Sequence, residues 1–376
     1  MPLTRRRAAW IGAALGLIVL IGAIAVWLLR PAPPPHLTLT AARYDDLAGW
    51  QEDDVVAALP AFVRSCHRFL KRPDDAPLDR RRHQTDFGLV GEWRPVCAAA
   101  AAVPARDPAA ARAFFAQEFA PLMAGNNGDN DGLFTGYFEI TLHGARHRGG
   151  SYQTPLYRRP PDPKRFTRGE IADGALSGKG LELLWVNSPI DAFFLEIQGS
   201  GVVELAGGGT VRVGYDGSNG KPYVSVGRLL IERGQLTRGK VTMVAIRDWM
   251  KAHPKKGAAL RRDNPSYVFF RKLTTPGPLG AGHVVLTPGR SLAVDRRFIA
   301  LGIPIWLDAQ QRFGTGGFRR LVIAQDTGGA IRGPVRGDLF WGHGAAAASG
   351  AGSMNASGRY YLLLPKPVAA RLAPAG

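Results

Sequence analysis

At 376 residues, with 45% hydrophobic and 21% charged residues, the chain can build one large or two ordinary domains, and its composition excludes a disordered, collagen-like or disulfide-rich miniprotein. Its 47 glycines and 28 prolines follow no period, which points to many tight turns between short strands rather than to a helical bundle. Lys and Arg exceed Asp and Glu by 48 to 30, and the formal charge of +18 suits an anionic partner such as nucleic acid, a membrane surface or an acidic polymer.

Thr4-Arg5-Arg6-Arg7 precedes an uncharged, largely apolar run from Ala8 to Leu29, closed by Arg30. The run is long enough to span a bilayer as a helix. The arginines ahead of it predict an N-terminus kept in the cytoplasm and an exported chain. A cleaved signal peptide is the alternative, but its apolar core is usually shorter, roughly 7–15 residues. Residues 1–30 are therefore read as an anchor or signal, residues 31–38 as a Pro-rich linker, and no cysteine near the run could carry a lipid. The only cysteines, Cys66 and Cys97, fall in the exported part, where they can pair as a disulfide; two buried thiols are the alternative.

Helical patterning appears from Asp53 to Phe69 and from Pro108 to Phe119. From Gly132 onward period-two alternation dominates, with Phe193, Leu195 and Ile197 alternating against Phe194, Glu196 and Gln198. Thr242 to Ala252 reads as one helix in that β region, with Thr242 as its N-cap, Val244, Ile246, Trp249 and Met250 inward, and Pro254 beyond its end. His283 to Thr287, Ser291 to Asp295, Ile303 to Leu307, Arg320 to Asp326 and Arg359 to Leu364 then read as a short-stranded barrel. The Ala- and Gly-rich stretch from Gly344 to Gly352 reads as a loop.

Several chemistries fail on spacing. Neither Gly178-Lys179 nor Gly220-Lys221 has the glycine that a phosphate-binding loop needs five residues earlier, and no Gly-x-Ser-x-Gly elbow occurs. His143 and His147 are four apart but lack the glutamate of a zinc-protease helix, and read as a solvated loop. Two polar, Gly-rich clusters remain. Gln198-Gly199-Ser200-Gly201 with Gly214-Tyr215-Asp216-Gly217-Ser218-Asn219-Gly220 could line a sugar groove or simply form two hairpin turns. In the second cluster, Asp326 closes a strand and Asp338 returns beside Phe340 and Trp341. Such a pair suits acid/base work, since a shielding aromatic and a neighbouring Asp326 carboxylate would raise the Asp338 pKa. Both aspartates could instead cap turns, and Arg332 or Arg336 pointing inward would oppose the acid role.

Taken in order, these segments resemble the membrane-bound lytic murein transglycosylase A family. The resemblance rests on Phe134-Thr135-Gly136-Tyr137-Phe138, Phe194 to Gly201, Gly214-Tyr215 with Asn219-Gly220, Asn264 to Phe270, and a three-aspartate segment carrying Asp295, Asp326 and Asp338. It runs from about Tyr44 to about Pro365.

The resemblance implies a mainly β fold: a double-psi β-barrel built from residues 39–137 and 263–376, interrupted by an inserted β domain at 138–262, with a glycan groove between them. It implies Asp338 as the single catalytic acid/base, Asp326 in support, a doubtful, structural place for Asp295, and Thr135, Tyr137, Gln198, Gly199, Ser200, Tyr215 and Asn219 as groove residues. The activity implied is that of a peptidoglycan lytic exotransglycosylase, a lyase that cleaves the MurNAc-GlcNAc β-1,4 bond and leaves a 1,6-anhydromuramyl end without cofactor or metal. A membrane-anchored monomer with its catalytic domains in the periplasm, and without a nucleic-acid partner, is expected. A two-carboxylate hydrolase, with Asp326 activating water, and a non-catalytic wall-binding module remain the rival readings.

Overall fold

The computed structural model describes residues 33–79, 85–237, 239, 241–312 and 316–373. The run from Ala8 to Leu29, and the anchor read from it, lie outside the described residues. Among the described residues no helix is long and apolar enough to cross a membrane. His36–Gly376 forms one unit.

Its strands are β1 (Leu37–Ala41), β2 (Phe119–Asn126), β3 (Gly132–Ala145), β4 (Thr154–Tyr157), β5 (Glu182–Val186), β6 (Ser200–Leu205), β7 (Thr210–Ser218), β8 (Val268–Lys272), β9 (Ser291–Val294), β10 (Pro304–Gln311), β11 (Gly317–Asp326), β12 (Arg336–His343) and β13 (Asn355–Pro365). They pair in the order β1-β2-β13-β10-β11-β9-β12-β3-β6-β7-β8, and a further β13–β3 pairing closes six of them, β13, β10, β11, β9, β12 and β3, into a ring. The β11–β9 and β12–β3 pairs are parallel and the other four ring pairs antiparallel. β3 is long enough to serve two sheets. Its first half closes the ring, while Ile140–Gly144 pairs with β6 and Gly144–Ala145 with β5 in a second sheet that has its own core around Phe138, Leu142, Leu184, Phe194 and Val213.

The ring core is filled by Leu292, Val294, Ile305, Leu339 and Leu362, while Trp306, on the opposite face of β10, packs edge-on against Trp50. Helices Leu59–Phe69, Val90–Ala102 and Pro108–Glu118 cover it, and the Cys66–Cys97 disulfide joins the first two, with Cα atoms 5.6 Å apart. Phe62, Phe114, Phe115 and Phe119 meet there in tilted and edge-on contacts at ring separations of 4.9–6.3 Å.

Several local readings change. Pro189–Gln198 is a helix rather than a strand: the Ser188 hydroxyl accepts the Asp191 N–H at 3.1 Å, Pro189 opens the first turn, and Gly199 ends it with φ of 81°. Phe193 packs against Val226, Leu230 and Met250, whereas Phe194 and Leu195 face the second-sheet core. A helix buried on several sides thus leaves an aromatic run that resembles a strand.

Gly344–Ser353 is also helical. It lies so close to β12 that a β-carbon on Gly350 would stand 2.3 Å from the Trp341 ring, so its small residues serve packing. His283–Thr287 is a loop instead of a strand: its pairing stops at one isolated bridge between Val285 and Leu279, and Thr287 N is taken by Ser291 Oγ. Met243–Ala252 is the expected helix, with Thr242 Oγ1 accepting the Ala245 N–H at 3.1 Å. Val244, however, points outward at 60% exposure, and Pro254 begins another helix, Pro254–Arg262. His143, read as part of a loop, lies on β3 and faces Glu204 at 3.3 Å.

Candidate active site

Successive strand residues face opposite sides. Phe134, Leu292, Val294 and Leu339 enter the ring core, so Thr135, Tyr137, Ala293, Arg336, Asp338 and Phe340 share the other face, where Tyr137, Ala293 and Phe340 pack with Leu286 and Ile331. Register does the rest: Asp326 pairs with Ala293, Ala293 with Asp338, and Asp338 with Thr135, one row across β11, β9, β12 and β3. Two strand spacings separate the aspartate backbones by about 10 Å.

Asp338 is partly buried. The Thr135 hydroxyl donates to its Oδ1 at 2.6 Å, and Thr135 Oγ1 in turn accepts from Arg336 Nη2 at 2.8 Å. Arg336 Nη1 donates to the carbonyls of Leu133, at 3.1 Å, and Gly337. Burial pushes the Asp338 carboxyl above the usual range, the Arg336 charge and the Thr135 bond oppose it, and the Asp326 charge adds a smaller upward push. The sequence suggests shielding and the Asp326 charge together as causes of the rise, and of the two desolvation is the larger. Of the two aromatics expected to shield Asp338, only Phe340 shares its face, packed on Tyr137 at 5.3 Å, while Trp341 turns toward Phe318.

Asp326 is held by three donors: the Tyr137 hydroxyl to Oδ2 at 2.8 Å, and the N–H groups of Ala281 at 2.8 Å and Thr327 at 2.9 Å to Oδ1. Burial raises its pKa and the three bonds resist. Asp295 faces elsewhere. Its carboxylate takes the Arg297 guanidinium and the N–H groups of Arg297 and Gly333. Burial works upward on its pKa too, but these contacts prevail and hold it below the usual value.

The other groove candidates are more scattered. Gln198 Oε1 accepts the Phe138 N–H at 3.0 Å, holding β3 beside Tyr137. Gly199 closes its helix, Ser200 is buried at the start of β6, and Tyr215 stands 52% exposed on β7. Asn219 is a correction. It is fully buried, its amide donating to Phe166 O and Pro265 O and its Oδ1 accepting from Tyr267 N, so it clamps a turn and has no face for a ligand. Just beyond it, Tyr223 lies near the loop after Asp326, its Cβ 3.7 Å from where a β-carbon on Gly329 would sit. Neither that proximity nor the Ala281 N–H was legible in the sequence. Arg336 was legible: two residues before Asp338 on one strand, it must share that aspartate's face.

Residues 133–271 match the family model described as the MltA specific insert domain, and residues 290–364 match the 3D domain. The membrane-bound lytic murein transglycosylase A of Vibrio cholerae serotype O1 is 37% identical over 266 residues, 68% of this chain and 71% of that one. Among solved structures, the membrane-bound lytic murein transglycosylase from Agrobacterium tumefaciens is 29% identical with a TM-score of 0.79, covering 89% of this chain and 99% of that one. Escherichia coli MltA with bound chitohexaose is 27% identical with a TM-score of 0.66, covering 90% and 93%.

Proposed function

The chain belongs to the membrane-bound lytic murein transglycosylase A family, and from that membership we propose that it cleaves peptidoglycan between N-acetylmuramic acid and N-acetylglucosamine with Asp338 as its single acid/base. The observation that carries the mechanism is the state of Asp338: its pKa raised by burial, its Oδ1 hydrogen-bonded by one hydroxyl, and, among the described residues, no cation joined to it directly.

The neutral Asp338 carboxyl gives its proton to the glycosidic oxygen as the muramyl C1–O bond breaks. Positive charge develops at C1, where the Asp326 carboxylate and the substrate's own acetamido group offset it. The Asp338 carboxylate then takes the proton of the muramyl C6 hydroxyl as that oxygen bonds to C1 and closes the 1,6-anhydro ring. Asp338 ends protonated, and no water enters. Proton transfer from a positioned group of this kind contributes on the order of 100- to 10,000-fold.

A hydrolase that used Asp326 to activate water is less well supported, because three donors already occupy the Asp326 oxygens. The six-stranded ring is read as a double-psi barrel, with Tyr137, Gln198, Ser200 and Tyr215 along the groove toward the insert and residues 138–262 as that insert. A cleft of about 450 Å3 beside Ala281, edged by Arg68, Lys71 and an Arg296–Asp79 ion pair, suits a polymer carrying muramyl and peptide carboxylates. A periplasmic enzyme held at the membrane by its first 30 residues, and acting as a monomer, fits this reading.

Purified sacculi digested with the enzyme should release fragments one water lighter than hydrolysis products. Fragments of hydrolysis mass would sink the transglycosylase reading, and retention without release would indicate a binding module.

A further inference from the structure

We propose that Arg336 is a positioning residue that fixes, through the Thr135 hydroxyl, which oxygen of Asp338 carries the catalytic proton. This rests on Asp338 being the acid of the proposed reaction.

A guanidinium has donors only and does not deprotonate. Arg336 Nη2, 2.8 Å from Thr135 Oγ1, therefore must give that bond and occupies one lone pair of the hydroxyl, whose single proton is donated to Asp338 Oδ1, 2.6 Å away. Oδ1 is thereby committed as an acceptor. The proton of the neutral acid is directed to Oδ2, for which no described group is a hydrogen-bond partner. Without Arg336 the hydroxyl could rotate, and the acid proton could sit on either oxygen.

The guanidinium itself cannot swing toward Asp338, because the Leu133 and Gly337 carbonyls hold it. Interposing a hydroxyl resolves a conflict in the sequence, where a cation two residues from a general acid looks harmful. A direct ion pair would keep Asp338 ionised. At one hydroxyl's remove, the cation orders the acid while burial still raises its pKa. Among the described residues, the other polar groups on this face include Tyr137 and Asp326, bonded to each other, and the uncharged Asn355, which pairs with Thr135 across β13 and β3; Ala293 adds no charge.

The test is the pH profile of kcat/KM on soluble glycan strands for Arg336→Met, Thr135→Val, Thr135→Ser and the double Met/Val variant. Arg336→Met should lose about 10- to 100-fold in kcat, as a misaligned reacting group does, with KM moved less than about 3-fold. Its alkaline limb should move to higher pH, since the cation no longer opposes the acid form. Thr135→Val should show both changes, and Thr135→Ser, which keeps the hydroxyl, should restore the limb. The double variant should be no worse than Thr135→Val. Wild-type rate and limb in Arg336→Met, or additive losses in the double variant, would overturn the relay. If Arg336→Met does not fold, the contrast between Thr135→Val and Thr135→Ser decides. Asp338→Asn separates the two readings: retained activity there defeats the acid assignment, whereas an inactive Asp338→Asn beside a normal Arg336→Met defeats only the relay.

Discussion

The turn after β9 and the face shared by β11 and β12 hold aspartates in opposite ways. Asp295 is 2% exposed and is met directly by Arg297 and two backbone N–H groups, so its charge is compensated and its pKa falls. In the insert, Glu196 is treated similarly, its two oxygens taking Arg168 at 2.8 Å each and Val268 N at 2.8 Å, although burial still raises its pKa. Asp338 has a cation close by but not in contact, and Asp326 has a phenol and two amides but, among the described residues, no cation. A carboxylate clamped by arginine organises structure. One desolvated without such a clamp is left able to exchange a proton.

The largest effect that sharpens this contrast is Asp338→Asn, expected to lower turnover about 100- to 10,000-fold in a sacculus-release assay while the protein stays folded. Its melting temperature should hold or rise at neutral pH. The folded-state pKa of Asp338 is raised, so the group contributes stability below its unfolded value and loses it as pH climbs through the folded value. A permanently neutral Asn avoids the cost of the buried charge. Glu196→Gln leaves Arg168 buried without its partner, and a denaturant titration should register a loss of about 3–5 kcal/mol. An unchanged midpoint would show that the insert tolerates a lone buried cation.

Asp295→Asn should cost about 1–3 kcal/mol at neutral pH. Because the folded pKa of Asp295 is lowered, that contribution is present above its unfolded value and disappears as pH falls through the folded one. Wild type and variant should therefore converge in acid, and at neutral pH the gap between them has the opposite sign to that of Asp338→Asn. The smallest effect is that of Asp326→Asn, which should reduce kcat less than Asp338→Asn does, about 10-fold, through lost charge stabilisation. Equal losses at both positions would mean that the pair titrates as a unit.

Much of this site was legible. Patterning placed Ser291 to Asp295, one residue past the end of β9, and Arg320 to Asp326 on strands, and the family resemblance singled out Asp338, Asp326, Thr135 and Tyr137. Thr242 announced its helix because a cap is a local signal. Phe193 to Gln198 misled because burial on several faces erases helical periodicity, and Gly344 to Gly352 because residues chosen for close packing look like a loop. Asn219 misled for a different reason: an Asn beside a turn has the same local sequence whether it faces solvent or the interior.

The opening arithmetic of charge and glycine content pointed to an anionic partner and a turn-rich β chain, and the two cysteines admitted one pairing, because composition and local preference need no knowledge of the fold. Which of three aspartates meets arginine, and which is left beside a hydroxyl, depended on the register of β11, β9, β12 and β3. Those strands are distant in sequence, and a shift of one residue would turn every side chain to the other face.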